Sequence, residues 1–150
     1  MDPLKRILLV EDDPKDMELT LNALCEHHLV NEVVVARDGV EALDYLYRRN
    51  TFAQRSDGNP AVMLLDLKMP RLDGIEVIKQ VKMDAQLQSI PIVVLTSSRE
   101  VSDLEQAYKL GVNAYVVKPV HFPEFVQAVK EIGAFWAIVN EPPPNSLKKP

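Results

Sequence analysis

Residues Ala61–Gly74 read AVMLLDLKMPRLDG. Five apolar residues run straight into Asp66, and Pro70 and Gly74 then turn the chain toward a helix. An unbroken aliphatic run bounded by turn residues fits a strand covered on both faces, as in parallel sheets. An ionised carboxylate is costly at the end of such a strand unless something pairs with it. Asp66 is therefore either idle at an exposed strand end or held there for chemistry.

Four further segments share that character: RILLV (Arg6–Val10), EVVVA (Glu32–Ala36), IPIVVLT (Ile90–Thr96) and AYVV (Ala114–Val117). All are β-branched or aliphatic. Between them lie amphipathic stretches of helical length, Pro14–His28, Asp38–Arg49, Asp73–Asp84 and Glu100–Leu110, and a fifth runs from Phe122 to about Asn140. Asp13-Pro14 pairs an N-cap with proline at the first helical position. DGVE (Asp38–Glu41) and DGIE (Asp73–Glu76) each put an acidic cap three residues before Glu. Strict alternation of strand and helix predicts an α/β fold, a doubly wound five-stranded parallel sheet with helices on both faces. Residues 1–140 are expected to form one domain with no output domain after it, and the Pro-rich segment 141–150 a mobile tail. RRNTFAQRSDGNP (Arg48–Pro60) is a long polar connection.

The chain has 150 residues, 47% hydrophobic and 26% charged, with a formal net charge of −5. That acidity argues against electrostatic binding of nucleic acid. Cys25 is the only cysteine, which excludes an intrachain disulfide and a cysteine-based zinc site. No apolar run approaches the ~20 residues of a membrane span, and MDPLKR lacks a signal peptide's apolar core. A cytoplasmic protein with no membrane partner is expected.

In an open parallel sheet, ligands bind beyond the carboxyl ends of the strands, where strand order reverses. Glu11 and Asp12 follow the first strand, Asp66 follows the third, Thr96 ends the fourth and Lys118 follows the fifth. All five fall on one edge, and the carboxylates converge if the first and third strands are neighbours. Clustered carboxylates repel unless a cation joins them, and oxygen ligands without His or Cys favour Mg²⁺. Lys118 suits phosphate oxygens or a carboxylate, and Thr96 adds a hydroxyl donor. This set fits phosphoryl transfer onto a carboxylate oxygen, with Asp66 as nucleophile. Taken singly, each residue has a structural reading: an acid after a strand caps a helix, and Lys-Pro makes a turn. Their joint placement favours chemistry.

ILLVEDD (Ile7–Asp13), LLDLKMPRLDG (Leu64–Gly74), VVLTS (Val93–Ser97) and AYVVKP (Ala114–Pro119) together resemble the receiver domain of two-component response regulators. The resemblance covers about Lys5 to Asn140 and implies strand order 2-1-3-4-5. It implies Asp66 as phosphoacceptor, Glu11 and Asp12 as the acidic pair, and the Lys68 backbone carbonyl as a further Mg²⁺ ligand. It further implies Thr96 and Tyr115 as the switch pair, Lys118 as the site lysine, and a cis bond before Pro119. Glu11 stands where Asp is also common, and Lys68 puts a positive side chain beside the site. The long Arg48–Pro60 connection and FWAIVNEPP (Phe135–Pro143) resemble stand-alone regulators that serve bacterial phytochrome histidine kinases. A sensor histidine kinase, of bacteriophytochrome type, is the implied partner, and the switched surface is the fourth-helix, fifth-strand, fifth-helix face.

Two alternatives stand beside this one. A haloacid-dehalogenase-like phosphatase would also place an Asp nucleophile after a strand, but it wants a second Asp where this chain has Lys68. A degenerate receiver would bind partners without phosphate, but such proteins lack one of the acid, Thr or Lys groups present here. In the last helix, Phe122, Phe125, Val126, Val129, Ile132, Trp136 and Val139 make one core-facing stripe at helical spacing. Phe135 and Ile138 fall outside it, which predicts an interface and a homodimer through this face. His27 and His28 suit a helix C-terminus, His121 an exposed site before the last helix, and Cys25 a packed one.

Overall fold

The computed structural model describes residues 6–26 and 32–144, without the side chains of residues 25, 26, 32, 137 and 138. The readings made above for Cys25, His27, His28 and the Ile138 side chain lie outside the described residues. In chain order the elements are β1 (Arg6–Val10), α1 (Pro14–Glu26), β2 (Glu32–Ala36), α2 (Gly39–Tyr47), β3 (Val62–Leu65), α3 (Gly74–Met83), β4 (Ile92–Thr96), α4 (Val101–Leu110), β5 (Ala114–Val117) and α5 (Phe122–Gly133). A π-helical segment, Ala134–Val139, continues α5. The five strands form one parallel sheet in the order β2-β1-β3-β4-β5, as expected.

Alternate residues of each strand point to opposite faces, and the two faces bury different helices. Leu8, Val10, Met63, Leu65, Ile92 and Val94 pack with Leu43 and Leu46 of α2, Val77 and Ile78 of α3, and Ala107 of α4. Ile7, Leu9, Val62, Leu64, Val93 and Leu95 pack with Met17 and Leu24 of α1, and Phe125, Val129 and Ile132 of α5. Complete burial of each such aliphatic side chain contributes about 1.5–3 kcal/mol. That double layer explains the unbroken apolar runs of β1, β3 and β4, buried along their whole length. Strand β5, at the edge, is half-buried throughout.

The helix starts follow the acidic caps. Asp13 Oδ1 accepts from the N–H of Lys15 and Asp16, Asp38 Oδ1 from Glu41, and Asp73 Oδ1 from Glu76. The long Arg48–Pro60 connection is anchored by Arg6, a charged residue inside a strand and only 4% exposed. Its guanidinium donates to the carbonyls of Gly58 and Asn59 and pairs with Asp57 at 3.2 Å. In the sequence Arg6 reads as the charged first residue of a strand, with no sign that it is buried.

Two expectations are corrected. No cis peptide bond occurs among the described residues, so the Lys118–Pro119 bond is trans, the isomer an X–Pro amide favours by about 0.5–1 kcal/mol. The stripe of the last helix is also shorter than its spacing predicted. Phe122 is 59% exposed and Val139 69% exposed. Phe125 is the first side chain of α5 to reach the core, and the π-helical turns from Ala134 change the angular period and rotate Val139 out. Among the described residues, no helix is long and apolar enough to cross a membrane.

Candidate functional site

The strand order reverses direction between β1 and β3, and the site lies in that crevice. Val10 and Leu65 are register partners, which sets Glu11 beside Asp66. The ladder extends one residue past each strand. Glu11 donates its N–H to the Ala36 carbonyl at 3.0 Å, and Asp66 donates to the Val10 carbonyl at 3.1 Å. Both carboxylates are thereby carried on backbone as rigid as the sheet. Glu11 is 3% exposed and Asp66 7%.

Glu11, Asp12 and Asp66 each offer an oxygen, and these oxygens lie within 4.8 Å of one another. An all-carboxylate set at this spacing fits a hard divalent cation. Lys118, carried just past β5, reaches into the same crevice. Its ammonium donates to Glu11 Oε2 at 2.6 Å, Asp16 Oδ2 at 2.9 Å and Asp66 Oδ2 at 3.2 Å. Burial would lower the lysine, but the bonds to Glu11 and Asp16 and the charge of Asp66 hold it above its ordinary value, firmly cationic. One cation faces several carboxylates, and the imbalance falls on Glu11. Burial first, and the Asp66 charge after the opposing Lys118 bond, push the Glu11 carboxyl up to about 7. Asp12, more accessible, is raised in the same direction by burial.

Thr96 is fully buried at the end of β4, and its carbonyl accepts the Lys118 N–H at 2.7 Å. Its hydroxyl oxygen faces the Ser98 N–H at 3.4 Å. Tyr115 is half-buried and donates its hydroxyl to the Ser98 carbonyl at 3.1 Å, on the α4 side of the sheet. The Lys68 N–H contacts Asp66 Oδ1 at 3.4 Å, while its ammonium turns away to Asp103, 3.1 Å distant. Asp103 also accepts from the Ser98 hydroxyl at 2.6 Å, which with Lys68 holds its carboxyl below the usual range. The Lys68 ammonium is thus drawn toward α4 rather than directed at the Asp66 carboxylate. Its pair with Asp103 is half exposed and contributes at most about 1 kcal/mol.

The β3–α3 loop is shaped by two contacts. Arg71, at φ 64°, adopts the left-handed region and pairs with Asp38, the N-cap of α2, at 2.7 Å. Gly74 donates to the Leu67 carbonyl, and an added Cβ would stand 2.4 Å from the Asp66 carbonyl oxygen and 2.7 Å from Leu67 Cα. Both obstacles are backbone. Gly74→Ala is expected to cost about 3 kcal/mol by urea unfolding, and a loss under about 1 kcal/mol would mean that the loop yields.

Of the residues singled out from sequence, Glu11, Asp12, Asp66 and Lys118 come together, and Thr96 adjoins Lys118 through its backbone. Tyr115 lies one layer out. Phe135 is 48% exposed and stacks edge-on against Trp136. Asp16 was missed, although it stands in the first turn of α1, only five residues after Glu11. An acid in a first helical turn is so ordinary that its spacing carried no signal.

Known proteins share this fold. The response regulator receiver domain model matches residues 7–130. The bacteriophytochrome response regulator RtBRR is 61% identical, with a TM-score of 0.75 over 95% of this chain and 86% of RtBRR. The phosphorylated cyanobacterial phytochrome response regulator RcpA is 39% identical, with a TM-score of 0.87 over 93% of this chain and 99% of RcpA. Response regulator Rcp1 of Synechocystis sp. is 35% identical over 134 residues, 89% of this chain and 90% of Rcp1. The Mn²⁺-bound structure of Rcp1 gives a TM-score of 0.87 over 93% of this chain and 99% of that one. A sheet of this order with acids and a lysine at its switch point, matched from Ile7 to Lys130, makes the chain a member of the response-regulator receiver family of two-component signalling.

Proposed function

We propose that Asp66 accepts a phosphoryl group from the phosphohistidine of a sensor kinase. The observation that carries this reading is the meeting of Glu11, Asp12, Asp66 and Lys118 in one crevice. An Asp66 oxygen attacks phosphorus, the P–N bond breaks, and its electron pair leaves with the imidazole, which takes up a proton. Glu11, Asp12, Asp66 and the Lys68 carbonyl would hold Mg²⁺. When bound, Mg²⁺ supplies electrostatic stabilisation of charge on the transferring oxygens. Lys118 donates to a phosphoryl oxygen. The Thr96 hydroxyl turns toward the same group, and Tyr115 releases the Ser98 carbonyl to fill the space left. That exchange repacks the α4–β5–α5 face, where Val101, Tyr108 and Phe122 are more than half exposed. The test is intact mass after incubation with a small-molecule phosphodonor: one Mg²⁺-dependent, hydroxylamine-labile phosphoryl adduct is expected.

The titration of Glu11 gives the metal site a pH signature. Its folded value near 7 lies above the ordinary 4.5, so the folded state binds more protons than the unfolded chain between them. Stability from this group is full below the ordinary value and is lost as pH rises through 7. A cation needs the ionised form, so Mg²⁺ affinity should rise about tenfold per pH unit below 7 and level off above it. Calorimetric titrations from acid to neutral pH check this, and Glu11→Gln should flatten the profile.

RtBRR and RcpA are phytochrome regulators by name, which supports a phytochrome-type histidine kinase as donor for this chain. Phosphotransfer from such a kinase to the wild type, timed against an unrelated kinase, tests that choice. The exposed Phe135 and Val139 in the π-helical continuation of α5 support a homodimer through this face. Sedimentation at tens of micromolar is expected to give a dimer that Phe135→Asp reduces to monomer. Monomer throughout, phosphorylated or not, would remove the proposal.

A further inference from the structure

Lys118 carries three N–H donors, and each is spent on a different carboxylate: Glu11, Asp16 and Asp66. Two of these acids, Glu11 and Asp66, belong to the group of oxygens that fits a divalent cation, and Asp16 does not. The burial also differs. The Asp16 side chain is 29% exposed, against 4% for Glu11 and 9% for Asp66. An ion pair at Asp16 therefore costs the least desolvation of the three. Asp16 is itself fixed by the first turn of α1, where its N–H donates to Asp13 Oδ1 and its carbonyl accepts from Thr20. Its nearness to Lys118 is thus set by the helix start and not by a mobile loop.

Lysine and a divalent cation compete for the same two buried carboxylates. With only Glu11 and Asp66 as partners, the ammonium would have to be displaced with no acceptor left for it. Asp16 supplies one. We propose that Asp16 is a positioning residue for Lys118: it retains the ammonium when a divalent cation takes Glu11 and Asp66, leaving the other two N–H donors free for the phosphoryl group. This rests on the metal and phosphoacceptor reading above and adds a residue outside the predicted set. The net effect is an exchange in which Lys118 changes partners without leaving the crevice.

The test is a double-mutant cycle read by Mg²⁺ affinity, measured calorimetrically on the wild type, Asp16→Ala, Lys118→Met and the double variant. Loss of Asp16 should weaken Mg²⁺ binding about fivefold more when Lys118 is present than when it is absent. Asp16→Asn should fall between, and Asp16→Glu should restore affinity. An equal loss in both backgrounds would make Asp16 a distant charge and overturn the proposal, as would no loss in either. Failure of the wild type to bind Mg²⁺ would instead overturn the metal reading itself. A second measurement does not depend on the folding of Lys118→Met: proton exchange of the ¹⁵N-labelled Lys118 ammonium. On Mg²⁺ addition that exchange should stay slow in the wild type and quicken in Asp16→Ala. Equal exchange in both would overturn the assignment.

Discussion

Asp66→Asn is expected to abolish the phosphoryl adduct completely while leaving the fold at least as stable as the wild type. An amide oxygen is too weak a nucleophile to displace the imidazole, so the loss is chemical and its size is limited only by the detection of mass. The stability side follows from charge. Asp66 is buried against Glu11 and near Asp12, and its ion pair with Lys118, at 3.2 Å, is the longest of the three that lysine makes. Removing one of several crowded carboxylates relieves repulsion, and the amide retains an acceptor for Lys118. Intact-mass measurement and urea unfolding on the same variant separate the two effects. An adduct that persists in Asp66→Asn would show that another acid is the acceptor, with Asp12, the most accessible of the three, as the first to examine.

Lys118→Met should be the most damaging single change to stability. It leaves Glu11, 3% exposed, and Asp66, 7% exposed, without their cation. Breaking a buried ion pair by removing one partner costs about 3–5 kcal/mol. The cost depends on pH, and the lysine itself does not set that dependence. Its folded value is raised, so its contribution is full at every pH below the ordinary lysine range. Glu11 sets it. With its carboxyl already raised to about 7, by burial above all, loss of the ammonium raises it further. The penalty should therefore be largest above pH 7 and shrink toward pH 5 as Glu11 takes up a proton. Urea unfolding at both values measures it, and added Mg²⁺ should recover part of the loss at the higher pH. A penalty independent of pH would mean that packing of the lysine stem, not charge, was lost.

The fold was almost entirely legible because two simple regularities coincide. Every buried strand is bounded by a turn residue or a capping acid, and Asp13, Asp38 and Asp73 cap the helices they were expected to start. The site was legible for a related reason: in a parallel sheet, the residue after each strand is delivered to one edge, so position in sequence nearly specifies position in space. What the pattern could not convey was the direction of long side chains. Lys68 lies next to the site in sequence, yet its ammonium leaves for Asp103. Asp16 is on a different element, yet it reaches Lys118. Arg6 reads as a strand boundary and is instead buried beneath the 48–60 connection. The π-helical end of α5 escaped because a change of helical period has no marker in composition, and it moved Val139 from the expected stripe to solvent.

The bond between Lys118 and Glu11 spans 107 residues, from the start of the sheet to its last strand. Its consequence concerns the assembly of the site. Strands β1 and β3 sit at the centre of the sheet, and their pairing alone brings Glu11 and Asp66 together, whereas the cation that balances them is carried by the edge strand β5. Closing so long a loop carries an entropic cost, and the charge is relieved only where β5 is docked at the edge. Docking of the final strand is therefore rewarded electrostatically as well as by burial. A chain in which β5 is not docked lacks Lys118 at the crevice, which ties the capacity to carry a signal to the placement of the last strand.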